Sequence, residues 1–560
     1  MRTSRVVLRT LFASLLGMAV VGPAAADPPN SPDSSATRYR PQTWTDHDAR
    51  PIREPEEREK NLMGHQFREA VVEPLSHAFD IPDKLLWLVD AFGADTEEEG
   101  ANVNKFDEVP NSSWFTNRNH VRALTSDEIR KGPIGSDLRP VPPYTIKSYK
   151  KSGVNPGFNI KDAADKRWVV KLDPPSHPQL GSGADAVVSR LLYAAGYNLP
   201  HDVPFTFRRD ELEIDDDLAK GVEGDPPLTA ALLDSMLVRG AVKDGKHYAQ
   251  ASLFLEGTPI GHIDMRGRRP DDPNDLHSHK NRRELRGLYV LMSWLGSWDT
   301  KDHQSLDTFI ENGEDSTGYV RHHLLDVGAA LGAAAEGPKA VPYGYENRID
   351  WGWTMRRLFS LGFATEPWRR TEQVTGIPSV GNFESDVYEP QKFKPLQPHP
   401  AFRERTDRDD YWGAKIVASF SDVQIEAAID AAGYEDPRAK PLLLDLLKRR
   451  RDKVARYWFG VVAPLDYFHV DGSVLRFRDL AVDRKLEGPR SYEARIDSRE
   501  GHLETDHLLL QENALVLDQL GAEPTHIVLE LAIAGRDAKP ATVELRKENG
   551  AWKVASVSHG

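Results

Sequence analysis

The chain has 560 residues, 39% hydrophobic and 28% charged, with 12 tryptophans and no cysteine. At about 150 residues per domain this length suggests about three folded units. A formal net charge of -14 argues against a nucleic-acid partner, because such binders draw their affinity from basic surface, and the lack of cysteine excludes disulfides, thiolate metal sites and a lipid-modified cysteine.

The opening stretch "MRTSRVVLRTLFASLLGMAVVGPAAADPPN" carries Arg2, Arg5 and Arg9, then an apolar run, then Ala24, Ala25 and Ala26 before Asp27. It reads as a cleavable secretory signal over 1–26, which predicts a periplasmic or extracellular protein. No later segment reaches about 18 uninterrupted apolar residues, so no stable membrane span is expected. Residues 27 to about 60 are polar and rich in proline, and read as a flexible leader. Helical spacing at Phe67, Val71 and Leu75, and in "DKLLWLVDAFG", completes a helical N-terminal extension running to 143. Within it "NKFDEVPNSSWFTNR" is loop-like.

From Tyr144 the pattern turns to strands. "YTIKSYKK" alternates, "SGVNPGF" is a turn, and "KRWVVKLDPP" is a β-branched strand stopped by prolines. "GADAVVSRLLYAAGYNLP" predicts a helix with Ala186, Val187, Leu191 and Ala194 on one face. "VPFTFRRDELEI", "DSMLVRGAV" and "KHYAQASLFLEG" read as further strands. In "NRRELRGLYVLMSWLGSW" the spacing of Leu285, Leu288, Tyr289, Met292 and Leu295 predicts a buried helix that delivers the chain to Asp299. A hairpin follows, then Asp326-Val327-Gly328. Beyond a tryptophan-rich loop region come two capped helices, one from Ser421 to Gly433 and one with Asp436 as its cap. Alternation over 461–560 predicts a separate antiparallel β domain.

A strand-rich unit with one helix, then a helical unit holding Asp-x-Lys, a hairpin and Asp-x-Gly, resembles the protein-kinase-like superfamily. The order of parts is similar to the atypical HipA, lipid-kinase and secreted-kinase branches, which lack a His-Arg-Asp triplet. "DEVPNSSWFTNR", "DDPNDLHSHKNRRELRG" and "RHHLLDVGAALG" more closely resemble a group of bacterial proteins that carry signal peptides. The resemblance spans roughly 144–460 and implies an α+β, two-lobed kinase-like fold. Its β-rich N-lobe would cover 144–257 and its helical C-lobe 258–460, with the N-terminal extension before them and the β domain after.

The resemblance also implies roles. Lys171 would hold nucleotide phosphates, and Asp185 on the following helix would pair with it. Gly153 and Gly157 would let backbone amides approach phosphate. Asp299 would orient an acceptor hydroxyl and take its proton, and Lys301 would neutralise charge on the phosphoryl group. Asp326 would ligate a metal, with Gln304 where an asparagine ligand usually stands. The implied cofactors are Mg²⁺ or Mn²⁺ with ATP or another nucleoside triphosphate. The implied partners are that nucleotide and an acceptor, which can be a protein, a glycan or a small molecule.

Two alternatives stay open. Gln304 and Asp185 depart from the kinase pattern, as expected of a pseudokinase-like scaffold that binds without catalysing. His277, His279, His322 and His323 would suit a His-dependent metal hydrolase, although adjacent histidines on a strand face opposite sides, so only one of His322 and His323 can reach a given site. "GSGADA" contains a dinucleotide-fingerprint pattern, but prolines separate it from the preceding strand, and it reads as a helix start.

Overall fold

Alternation within the strand Arg167–Leu172 decides the layering around it. Trp168, Val170 and Leu172 enter an apolar cluster shared with Leu233, Met236 and Leu237, which leaves Lys171 on the other face of the sheet. In register with Lys171 lie Gly157 on one neighbouring strand and Gln250 on the other. The side chains of Lys171 and Gln250 therefore share one face.

The computed structural model describes residues 45–58, 98–150, 155–221, 226–312, 315–348, 351–363, 365–370, 376–397, 399–503 and 505–560. The secretory signal expected at 1–26 and the helices expected at 67–93 lie outside the described residues, whereas residues 45–58 of the expected flexible leader are described and held, Ile52–Arg53 pairing with Thr317–Leu324 and Asp48 accepting the Ser113 amide.

Among the described residues, seven strands form the sheet that carries Lys171. Their order is Asp202–Phe207, Lys246–Leu253, Arg167–Leu172, Gly157–Lys161, Tyr144–Tyr149 and Leu212–Ile214, with Val242–Lys243 added on Lys246–Leu253. Pairing is antiparallel except for the last two strands in that order, which run parallel. The helix Gly181–Ala195 lies against Asp202–Phe207 and Lys246–Leu253 and buries its apolar residues in a second cluster, on the Lys171 side. That cluster is built mainly with the helices Arg283–Leu295, Asp407–Ser419, Asp422–Asp430 and Ala439–Val461.

The stretch "DSMLVRGAV" is not the strand its sequence suggested. Its first four residues, 234–237, close the helix Ala230–Leu237, where Thr229 Oγ1 accepts the Leu232 amide and Leu233, Met236 and Leu237 bury one face, and only Val242 at its end enters a strand, Val242–Lys243. Capping and three-four spacing outweigh the local β propensity there. The Asp407–Ser419 helix was not anticipated, although Thr406 and Asp409 form a reciprocal capping box at its start. Asp436 accepts the Arg438 amide, but the helix begins later, at Ala439.

Strands from Leu465 to His559 form one sheet of three and one of five, antiparallel, around their own apolar cluster. They are tied to the rest of the chain by buried charges. The His559 ring and amide meet the Asp107 carboxylate at 2.9 and 3.1 Å, and Lys415 Nζ sits 2.7 Å from Asp466. The loop-like stretch "NKFDEVPNSSWFTNR" is thus a buried hub. Asp107 also pairs with Arg283, Glu108 pairs with Lys415, and the Trp114 ring stacks on His322 with centroids 3.6 Å apart. Irregular backbone tolerates such burial only when its polar groups are matched.

One buried acid makes stability depend on pH. Burial pushes the Asp410 carboxyl up to about 7, although Arg405 Nε at 3.1 Å opposes the shift. The folded chain then holds a proton that the unfolded chain releases near pH 4. This contribution is complete below the unfolded value and is lost as pH rises through about 7. Asp410→Asn is expected to flatten the fall in unfolding free energy between about pH 4 and 7, read by denaturant titration across that range.

Candidate functional site

Asp299 and Asp326 lie in two loops at one end of the hairpin formed by Ser305–Glu311 and Thr317–Leu324, whose register closes with Ser305 opposite Leu324. The buried helix Arg283–Leu295 ends at Gly296 and feeds the first loop. Backbone bonds lace the two loops together: the Trp298 amide donates to the Ala329 carbonyl at 3.2 Å and the Leu325 amide to the Gln304 carbonyl at 2.8 Å. Paired carboxylates around a hairpin are in this way brought to one place.

That place is the wall of a cavity of about 280 Å³, whose opposite wall is the Lys171 face of the seven-stranded sheet. Lys150, Lys171, Gln250, Asp299, Lys301 and Asp326 all line it. Lys171 Nζ lies 2.8 Å from Asp326 Oδ1, and about half of the Asp326 side chain stays accessible, at 51%. Lys301 Nζ lies 2.7 Å from Asp299 Oδ1 and 2.9 Å from Oδ2. Asp326 adopts φ 51°, in the left-handed region that side chains rarely occupy and that functional turns often hold.

The charges act on one another. Burial pushes the Asp326 carboxyl up, but Lys171, with Lys150 and Lys301, more than offsets it and holds the group below the usual carboxylate range. Burial likewise works against the Lys171 ammonium, yet Asp326 and Asp185 raise it above its ordinary value. Burial lowers Lys150, Lys171 adds to that, and Asp326 opposes both. Three lysines line the cavity with three carboxylates, of which Asp173 is buried and occupied by backbone amides, so the ammonium groups are the donors an anionic oxygen would meet there.

Several expected roles are redistributed. The ion pair expected between Lys171 and Asp185 is replaced by Lys171–Asp326. Asp185 is fully buried on the helix Gly181–Ala195, and a Cβ on Gly328 would stand 3.0 Å from its Oδ2, so a larger residue would push the Asp326 turn and the helix apart by a few tenths of an ångström. Burial, and then the neighbouring Asp202, push the Asp185 carboxyl well above its ordinary range, which favours its protonated form as a donor beside Asp202. Asp202 in turn accepts from Gln250 Nε2 at 3.2 Å, which links this acid pair to the cavity wall. Asp185→Asn supplies an equivalent donor and is expected to change unfolding free energy by less than about 1 kcal/mol. Asp185→Ala removes the donor and leaves Asp202 without it, a loss of about 1–3 kcal/mol; thermal melts of the two variants at pH 7 decide between these outcomes.

Gln304, expected as a metal ligand, uses Oε1 to accept the Lys301 amide at 2.7 Å and so closes its own turn. One lone pair of that oxygen remains. Gly157 is a strand residue opposite Lys171 and not a cavity-lining residue; a Cβ there would meet the Val170 carbonyl oxygen at 2.6 Å. Its glycine serves strand packing. Gly153 lies outside the described residues. The start of helix Gly181–Ala195 borders the cavity, but Asp173 already accepts the amides of Gln179 and Ser182 at 2.9 and 2.8 Å, and the "GSGADA" turn is sealed by that carboxylate.

The histidines expected of a hydrolase are engaged elsewhere. His279 Nε2 meets Asp275 at 2.6 Å, His322 Nδ1 meets Asp307 at 2.7 Å, and His323 Nε2 faces Thr308 Oγ1 at 3.1 Å. His277 is half-buried. Among the described residues no three His, Asp or Glu side chains group as a metal site. Sequence reasoning missed Lys150 and Gln250. Lys150 follows the alternating "YTIKSY" strand and was legible as a cation near the turn, whereas Gln250 is placed only by cross-strand register.

No family model matches the chain, and no curated protein does. Among solved structures the chain is similar to a Helicobacter pylori proinflammatory kinase, CtkA, at 11% identity and a TM-score of 0.30, over 56% of this chain and 96% of that one. It is similar to the Golgi casein kinase with Mn/ADP bound at 13% identity and a TM-score of 0.28, over 57% of this chain and 72% of that one. A second structure of the Golgi casein kinase gives 11% identity and a TM-score of 0.27, over 57% and 74% of the respective chains.

Proposed function

We propose that this chain is an exported, two-lobed kinase-like phosphotransferase, binding a nucleoside triphosphate with Mg²⁺ or Mn²⁺ in the 280 Å³ cavity. The observation that carries the proposal is the convergence of Lys171, Asp299, Lys301 and Asp326 on that cavity from a strand and two loops far apart in the chain. Export is supported by the arginine-flanked apolar run and the alanine triplet before Asp27.

The donor set suits a nucleotide-borne Mg²⁺. Such an ion takes one or two carboxylates and fills the rest of its shell with phosphate oxygens and water, so three protein ligands are not required. Asp326, half accessible at the cavity wall, is the carboxylate that would hold it, with the remaining lone pair of Gln304 Oε1 as a second oxygen donor. When bound, the ion neutralises charge on the β and γ phosphates.

The chain's own residues supply the rest. Lys171 and Lys150 hold phosphate oxygens. The Lys301 ammonium fixes the direction of the Asp299 carboxylate, which accepts the proton of the acceptor hydroxyl as its oxygen bonds to the γ-phosphorus. The bond between the γ-phosphorus and the β–γ bridging oxygen breaks, and the nucleoside diphosphate leaves with that electron pair.

The test is calorimetric titration of the purified chain with ATP, with and without Mg²⁺, alongside Lys171→Ala and Asp326→Asn. A scaffold that binds no nucleotide is the second reading. It is favoured by one observation: Lys171–Asp326 and Asp299–Lys301 satisfy each other, and the Gln304 oxygen caps a turn. A wild-type chain indifferent to ATP and Mg²⁺ would select it.

A further inference from the structure

An apolar and basic projection stands apart from the cavity chemistry. The helix Trp351–Phe359 ends in a left-handed turn at Leu361 and Gly362, where the Gly362 amide donates to the Arg357 carbonyl at 2.8 Å. Met355, Leu358 and Phe359 share a helix face at three-four spacing and are 42, 65 and 80% exposed; Leu361 and Phe363 beyond the turn are 85 and 86% exposed. Surface apolar residues are normally scattered, and a run this dense marks a contact surface.

The base of the projection is fixed. Trp368 stacks on Tyr345 with centroids 5.1 Å apart and donates Nε1 to Glu346 at 2.9 Å, while Arg369 pairs with Glu346 at 2.6 Å. Its tip therefore projects by construction.

Its charge points to the occupant. Residues 351–370 hold four arginines and one glutamate in a chain of net charge -14. Arg356 pairs with Glu366, whereas Arg357 and Arg370 have no ion pair among the described residues. At physiological salt, charges beyond about 8–10 Å are screened. A nearby anionic surface would meet Arg357 and Arg370, the two arginines of this stretch that Glu346 and Glu366 leave without an ion pair among the described residues. Exposed Phe and Leu flanked by arginine on a short amphipathic helix suit insertion at a headgroup boundary. No described helix is long and apolar enough to cross a membrane, so the contact is interfacial.

We propose that residues 351–370 seat this protein on an anionic lipid surface, with Leu358, Phe359, Leu361 and Phe363 entering the headgroup boundary and the arginines pairing with lipid phosphates. The absence of cysteine permits a site-specific test on the full chain. Phe363→Cys carries one environment-sensitive fluorophore, and Val238→Cys, 79% exposed on a different helix end, serves as the reference position.

With phosphatidylglycerol–phosphatidylcholine vesicles, the probe at 363 is expected to shift to the blue and be quenched by lipid-borne quencher. It should stay aqueous with pure phosphatidylcholine, and the probe at 238 should stay aqueous throughout. Arg357→Glu with Arg370→Glu is expected to weaken the response at least tenfold. The proposal is overturned if the probe at 363 stays aqueous on anionic vesicles, whether or not the chain sediments with them through another segment. An equal response on neutral vesicles, or a response that follows protein concentration without lipid, overturns it as well. Nucleotide titration reads the cavity alone, so either idea can fail without the other.

Discussion

Asp326→Asn is expected to abolish metal-dependent nucleotide binding, with Kd rising at least about 100-fold, or about 2.7 kcal/mol. The carboxylate is half accessible and is held in its ionised form by three lysines, so it is ready to exchange the Lys171 ammonium for a divalent cation. The amide that replaces it is neutral and a weaker ligand for a hard cation. Lys171→Ala should separate the two halves of the site: nucleotide affinity falls, because the phosphates lose a cation, while Mg²⁺ alone binds no worse, because Asp326 loses its competing partner. Asp299→Asn should leave nucleotide affinity within about threefold and reduce phosphoryl transfer by about 10²–10⁴-fold, the range for losing a positioned base. Calorimetry and a radiolabel transfer assay read these quantities separately. If Asp326→Asn and wild type bind ATP equally with and without Mg²⁺, the assignment of this cavity to a metal–nucleotide complex is wrong.

How much of this was legible beforehand follows from the range of each interaction. Lys171 on a β-branched strand and the acids at the two ends of a hairpin could be found because strand alternation, prolines and turn residues are local signals. The partner of Lys171 could not. Whether Asp185 or Asp326 reaches that ammonium depends on how closely the helix Gly181–Ala195 packs, and burial beside Asp202, on a third element, disfavours the charged form of Asp185. Gln304 shows the same limit at shorter range, since the spacing suggests a ligand while the turn it closes takes the oxygen. The stretch around Asp107 reads as a loop because Pro and Asn punctuate it, and nothing local marks it as buried. Its partners Arg283, Arg408 and His559 lie 176, 301 and 452 residues away, and no window of sequence relates them.

That hub carries the larger stability prediction. Lys415 on the Asp407–Ser419 helix is 3% exposed and lies between Glu108 and Asp466, which are 1 and 6% exposed. The Trp412 indole donates to Glu108 at 3.3 Å and the Tyr467 amide to Asp466 at 2.6 Å, so each carboxylate has a second donor, and among the described residues Lys415 is the one cation in an ion pair with either. Burial works against the Lys415 ammonium, and the two acids more than compensate, raising it above its ordinary range. Lys415→Met keeps the packing of the stem and removes only the charge, leaving two buried carboxylates facing each other. The expected loss is about 3–5 kcal/mol at pH 8, the usual result of stripping one partner from a buried ionic group. The sign with pH follows from linkage. Without the lysine, the folded carboxyls rise above their unfolded values, so the variant binds protons on folding and its deficit should shrink from pH 8 to pH 5. Adding Glu108→Gln and Asp466→Asn should restore most of the loss, because a neutral cluster has no ion to desolvate. Denaturant unfolding of the single and triple variants at both pH values provides the test. A single-variant deficit that is the same at pH 5 and pH 8 would mean that water or a rearranged cation already compensates these acids, and that the three elements are joined by apolar packing alone.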